Sequence, residues 1–219
     1  MPLVDPPGDI PSGGAAIEAF TSADGRFTAG LWRREPDTWS FERGHDEVAL
    51  ILSGEADVEA DDGRVLPLRE GDVLVTPKGS KGTWRIASTL TKFYAVYDEP
   101  AAAATETAVV HVRADAAREW IVSENSPGDE SPPAEEWYAF RSPDRKFSTG
   151  LWRREPETGR FQREYHEIAA LLEGEVDVES DDGDVVPVGP HDVLITPRGS
   201  SGIWRARSRI TKFWAVHHE

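Results

Sequence analysis

The sequence predicts an all-β protein built from two tandem copies of one small barrel. Three observations carry this. The chain repeats itself without gaps at an offset of 120: GLWRREPDT (30–38) returns as GLWRREPET (150–158), and TKFYAV (91–96) as TKFWAV (211–216). Of the 80 residue pairs between 20–99 and 140–219, 44 are identical, so both copies share one fold. Within each copy the apolar residues recur with period 2, between turn residues spaced about 8–12 apart, as in a sandwich or barrel. No segment inside either copy keeps helical spacing over three turns.

The first barrel spans 1–99 with an N-terminal arm, Met1 to Gly14, rich in Pro, Gly and Asp. In VALILSGEADVEADDGRVLPL (48–68), apolar runs stop at Ser53-Gly54 and at Asp61-Asp62-Gly63. Asp-Gly between β-rich runs is a hairpin signal, because both residues tolerate the positive φ of a tight turn. Pro67, Gly71, Pro77 and Gly79 punctuate the stretch from 67 to 79. The connector spans 100–136 and ends in the polar, Pro-rich SENSPGDESPPAEE (123–136). Val109, Val110 and Val112 predict a strand at 109–112 docked on one of the barrels. The second barrel spans 137–219, with Asp181-Asp182-Gly183 at the same turn. Each copy has the size of a small domain, about 80–100 residues.

Of the 219 residues, 38% are hydrophobic and eight are Trp, enough to build globular cores. The net charge is −16, and residues 1–100 carry 10 basic and 18 acidic residues, half of that excess. Acidity spread over both copies argues against nucleic acid and against an anionic membrane surface. With no Cys, disulfides and thiolate chemistry are excluded. The N-terminus lacks the basic and apolar regions of a secretory signal, so the expected location is cytoplasmic. The expected partner is a small molecule, and uncovered strand edges leave room for a homodimer.

Glu47-x6-Gly54 followed by Gly71-x5-Pro77-x-Gly79 resembles the two signature motifs of the cupin superfamily. The second copy offers Glu167-x6-Gly174 and Pro197-x-Gly199, with His191 where the motif has Gly. The wider texture is similar to the ureidoglycine aminohydrolase-like cupins. The resemblance implies a bicupin of two jelly-roll (double-stranded β-helix) barrels, usually with a metal held by two His and one Glu of the first motif and one His of the second. Here Glu47 and Glu167 keep the Glu position. The first-motif His positions fall on Phe41 and Arg43, or Phe161 and Arg163; the alternative spacing gives Ser40 and Glu42, or Arg160 and Gln162; and the second-motif His falls on Gly82 or Gly202. The expectation is therefore no bound metal and no cofactor, since Phe, Arg and Gly side chains do not ligate a divalent ion.

The remaining candidates are organic. On one face of the first-motif strand lie Phe41, Arg43, His45 and Glu47, matched by Phe161, Arg163, Tyr165 and Glu167. Two readings of the Arg–Glu pair stay open: mutual charge satisfaction, or a guanidinium fork presented to a ligand. Trp84, Trp204, Tyr94 and Trp214 are either core or a stacking wall, as are Trp32 and Trp152. Lys92 and Lys212 share a strand face with Tyr94 and Trp214, as solvated edge residues or as pocket cations. The function expected is binding of a small polar organic ligand in a barrel lumen. The alternative is a ureidoglycine aminohydrolase-like enzyme acting on a small ureido or similar substrate. Differences between the copies are expected to cluster at His45/Tyr165, Asp46/His166 and Gly71/His191, so that at most one barrel binds tightly.

Overall fold

A computed structural model describes residues 14–98, 108–113, 116, 118–122 and 133–219. The arm before residue 14 and most of the Pro-rich part of the connector lie outside the described residues, which contain strands and no α-helix. The chain divides into two compact units, 1–114 with 142–145, and 115–141 with 146–219.

The first unit holds β1 (Ala15–Thr21), β2 (Phe27–Arg34), β3 (Thr38–Glu42), β4 (Asp46–Ser53), β5 (Ala56–Ala60), β6 (Val65–Leu68), β7 (Val73–Thr76), β8 (Lys81–Ile86), β9 (Leu90–Tyr97) and β10 (Val110–Val112). A six-stranded sheet runs β1-β2-β9-β4-β7-β10 and a four-stranded sheet runs β3-β8-β5-β6. They close on a shared core that includes Trp32, Ala49 and Leu74 from one sheet and Val58, Leu66 and Trp84 from the other. This is the jelly-roll barrel that the alternating pattern predicts.

The second unit repeats the plan. Its strands are β11 (Ile121–Val122), β12 (Glu135–Arg141), β13 (Phe147–Arg154), β14 (Thr158–Gln162), β15 (His166–Glu173), β16 (Val176–Ser180), β17 (Val185–Val188), β18 (Val193–Thr196), β19 (Ser201–Ala206) and β20 (Ile210–His217). The sheets run β11-β12-β13-β20-β15-β18 and β14-β19-β16-β17. Even irregularities recur: the register between β4 and β9 shifts at Ile51/Ser53, and between β15 and β20 at Leu171/Glu173. The Asp-Asp-Gly turns end on Gly63 and Gly183 with φ of 82° and 85°, the left-handed region that glycine enters without a Cβ clash.

The connector serves both units. β10 pairs antiparallel with β7 and buries Val109 and Val112. β11 pairs with β12 at the opposite edge of the other unit's sheet.

Candidate functional site

The residues expected on one regular strand, Phe41 to Glu47, are split in the structure. β3 ends at Glu42 and β4 begins at Asp46, with a bend between. The bend is fixed by Arg43 N–H donating to Ser80 O at 2.9 Å and Gly79 N–H donating to Arg43 O at 2.7 Å. Phe41 therefore belongs to the four-stranded sheet and Glu47 to the six-stranded one. Through the break Phe41, Arg43, His45 and Glu47 stay buried and Glu42 and Gly44 exposed, while Asp46 on the opposite parity is buried as well.

Inside the first barrel, Glu47 is the hub. Lys92 Nζ donates to its Oε1 at 2.6 Å, and Arg43 Nη2 donates to the same oxygen at 3.1 Å. Arg43 Nε donates to Thr76 Oγ1 at 3.1 Å, and Thr76 is the cross-strand partner of Glu47. Lys92 lies against two indole faces, Trp32 at 4.9 Å and Trp84 at 5.3 Å, and Arg43 lies over Phe41 at 4.7 Å. Lys92 is a lumen cation, not a solvated edge residue: only 3% of it is exposed. Burial pushes the Glu47 carboxyl up, but Arg43 and Lys92, helped by His45, outweigh it and hold the group well below 4.5. The same burial lowers the Lys92 ammonium, against the pull of Glu47.

Two cations against one carboxylate leave a surplus positive charge in this space. Several polar atoms have no hydrogen-bond partner: Glu47 Oε2, His45 Nε2 and the indole nitrogens of Trp32 and Trp84 around this cluster, and Tyr94 Oη farther along the sheet. His45 Nε2 stands 4.0 Å from Glu47 Oε2. Buried polar atoms are normally satisfied, so a cluster of orphans marks a place built to meet something polar.

The second barrel reproduces this arrangement. Lys212 Nζ donates to Glu167 Oε1 at 2.6 Å, Arg163 Nη2 to the same oxygen at 3.3 Å, and Arg163 Nε to Thr196 Oγ1 at 3.3 Å. Trp152 and Trp204 flank Lys212 at 4.9 and 5.3 Å. Lys212 and Arg163 hold Glu167 below 4.5 against its burial. Tyr165 replaces His45, its ring 5.8 Å from the Arg163 guanidinium, and burial together with Glu167 raises its phenol above 10.0.

A protein-family model, the EutQ-like cupin domain, matches residues 21–94 and 141–214, which is most of both barrels. The chain belongs to the EutQ-like cupin family. Solved structures match the cupin pair along nearly its whole length. A protein of unknown function of the DUF861 family from Pseudomonas syringae pv. tomato has a TM-score of 0.83 at 18% identity, covering 98% of this chain and 90% of that one. Ylba from E. coli has 0.67 at 16%, covering 99% and 87%. A salicylate 1,2-dioxygenase from Pseudaminobacter salicylatoxidans has 0.62 at 11%, covering 92% and 76%. At these identities the likeness is one of fold. No curated protein matches the sequence.

The residues of this cupin do not fit the metal that the superfamily usually carries. Among the described residues no group of three or more His, Cys, Asp or Glu side chains is placed to hold an ion. The disagreement goes deeper than missing histidines. Gly82 and Phe41 are direct partners across β3 and β8, and a Cβ at Gly82 would lie 2.6 Å from Glu59 O and 3.0 Å from the Phe41 ring. At Gly202 the same Cβ would lie 2.3 Å from Glu179 O and 2.9 Å from Phe161. Neither position has room for any side chain. One oxygen of each carboxylate, Oε1, accepts instead from a buried lysine.

The structure thus brings together Arg43, His45, Glu47, Trp84 and Lys92, and likewise Arg163, Tyr165, Glu167, Trp204 and Lys212. Tyr94 and Trp214 share the lumen face but extend sideways along the sheet. Tyr94 Oη reaches over Gly30, and Trp214 packs edge-on against Tyr138 at 5.3 Å. Burial, with Glu18 and Glu47 nearby, pushes the Tyr94 phenol up to about 12. His166 stays out of the lumen. Its Nδ1 accepts from Arg198 N–H at 3.1 Å, as Asp46 Oδ1 accepts from Lys78 N–H at 2.8 Å, and its Nε2 faces Glu219 Oε1 at 3.1 Å.

Two contributors carry no clear signal in the sequence. Thr76 and Thr196 anchor the arginines, and nothing in a single Thr marks it. The other is the pair Trp39 and Gly159. Trp39 stacks on Trp84 at 5.9 Å and 9°, whereas Gly159 stands alone opposite Trp204. Comparing the two copies for loss of side-chain volume would have found it.

Proposed function

We propose that this bicupin binds a small polar organic ligand, bearing a carboxylate or similar anionic group, in a barrel lumen that uses its own lysine where other cupins use a metal. The observation that carries this is the Lys–Glu–Arg cluster flanked by two indoles in both barrels, with one positive charge in excess in the first; in the second, Glu136, which stands where the first copy has Ala16, also acts on Lys212. A buried uncompensated charge is costly, and an anionic ligand would neutralise it. Arginine suits such a ligand because its fork matches a carboxylate. The indole faces suit a flat or apolar remainder.

A second reading is an enzyme of the ureidoglycine aminohydrolase-like kind acting on a small ureido substrate. It is favoured by Glu47 Oε2, an acceptor without a partner, which would take the N–H groups of a urea.

The test is calorimetric titration of the full chain with benzoate, acetate and phenylurea, with and without EDTA. The ligand reading expects the carboxylates to bind equally well with EDTA. The Arg43→Met/Arg163→Met variant, which removes the surplus charge and keeps each Lys–Glu pair, should not bind them. Metal-dependent binding would overturn it, and phenylurea binding with loss of the carboxylates would favour the second reading.

A further inference from the structure

The two lumens hold nearly the same charged cluster yet differ in how they are closed. In β3, Trp39 is the direct cross-strand partner of Trp84. It stacks on Trp84 and leans on Trp32 at 6.0 Å and 57°. From outside, the Arg34 guanidinium sits over Trp39 at 4.3 Å, and Arg34 Nε donates to Asp37 Oδ2 at 3.0 Å. Trp84 and Trp32 are each 1% exposed and both indole nitrogens are sealed from solvent: Trp84 lies behind this stack, and the Trp32 nitrogen lies against Gly14, where an added Cβ would stand 2.4 Å from it. In β14 the same register position is Gly159, opposite Trp204. A Cβ there would meet the Glu157 carboxylate at 3.7 Å, which Arg154 Nη1 holds at 2.9 Å in a pair whose side chains are 14% and 15% exposed, so an ion pair and not an aromatic ring borders this position. Trp152, Trp204 and Phe161 are accordingly only partly buried, and the side-chain exposure of Arg163 is 12% against 3% for Arg43.

We infer that the second barrel is the one open to small solutes, and that residue 159 decides this: Trp39 is a fixed plug, and Gly159 is the open door to the Lys212–Glu167 cluster. The inference rests on the lumen being the binding site, and it names which of the two copies serves. The room beside Gly159, whose φ is not in the left-handed region, means that a larger residue would be accepted there.

The experiment reads access directly, without needing a ligand. In the nitrogen-labelled full chain, the indole N–H signals of Trp84 and Trp204 are assigned through Trp→Phe variants. The neutral nitroxide TEMPOL is then added. The Trp204 signal should lose intensity severalfold more than the Trp84 signal. Gly159→Trp should bring Trp204 to the protection of Trp84, and Trp39→Gly should expose Trp84. Equal attenuation in the unaltered chain would overturn the inference. So would a Trp204 signal indifferent to Gly159→Trp, or a Trp84 signal still protected in Trp39→Gly. Benzoate titrated into the same sample separates the two ideas. If TEMPOL reaches only Trp204 but benzoate shifts nothing, the ligand reading falls and the door stands. If benzoate shifts Trp84 in the unaltered chain, the door falls and the ligand reading stands.

Discussion

The first barrel is sealed where the second is open, although 44 of 80 paired residues are identical between them. Two additions account for the contrast. β10 covers the edge of β7, so Val73, Leu74 and Val75 are at most 1% exposed. Their counterparts Val193, Leu194 and Ile195, on β18, which is an edge strand among the described residues, are partly exposed. Trp39 then closes the lumen that Gly159 leaves open. A duplicated scaffold can hold one charged cluster in two states of solvation by changing an edge strand and one aromatic residue, leaving the cluster itself almost untouched.

The largest expected effect comes from removing the edge cover. Val109→Asp with Val112→Asp should destabilise the first barrel by at least roughly 3–6 kcal/mol, from two buried valines at about 1.5–3 kcal/mol each. Urea unfolding should show one barrel's transition moving while the other stays. A joint shift would mean that the barrels do not unfold independently.

Next is the hub. Glu47→Gln leaves Lys92 and Arg43 buried without their carboxylate, at a cost of about 3–5 kcal/mol. Glu167→Gln should cost less, because Arg163 beside it is more exposed than Arg43, 12% against 3%. Equal losses of melting temperature would contradict the difference in closure.

Acid acts on the same hub in both barrels. Both carboxyls lie below 4.5 in the folded protein, Glu47 well below. A depressed folded value contributes stability that is complete above the unfolded value and lost as pH falls through the folded one. On acidification each barrel should therefore loosen as its hub carboxyl takes up a proton. Indole N–H signals followed through the acid range would show Trp84 and Trp204 changing, and signals that stay fixed until the whole chain unfolds would refute it.

The smallest effect concerns His191, which has φ of 72° where the first copy has Gly71 at 84°. His191→Gly should raise stability by up to about 1 kcal/mol, since the left-handed region is unfavourable for a residue with a Cβ. Chemical denaturation would register it.

Much of this is legible in the residues. The offset of 120, the Asp-Gly turns and the alternation give two jelly-roll barrels. Parity puts Lys92 on the face of Tyr94, and the family spacing finds Glu47. The bend at 43–45 is not legible, because alternation continues through it and a break between sheets leaves the inward–outward pattern intact. The choice between an edge lysine and a pocket lysine is not legible either, since it depends on Trp32 and Trp84, which arrive from two different strands. Trp39 is easily passed over because an aromatic residue on a strand suggests core, and its meaning lies in its absence from the other copy. His45/Tyr165 does alter lumen chemistry, whereas Asp46/His166 preserves one hydrogen bond to the 76–80 loop and its counterpart outside the lumen.

The tight register of Phe41 on Gly82 bears on history as well as on chemistry. An ancestor with histidines at both places would have had to accept phenylalanine and glycine as a matched pair. Going back one residue at a time is obstructed: histidine at 82 collides with the Glu59 carbonyl, and histidine at 41 faces a lumen already occupied by Lys92. With the same lock present at Phe161 and Gly202, a single-residue return is obstructed in both barrels, so the matched pair acts as a ratchet.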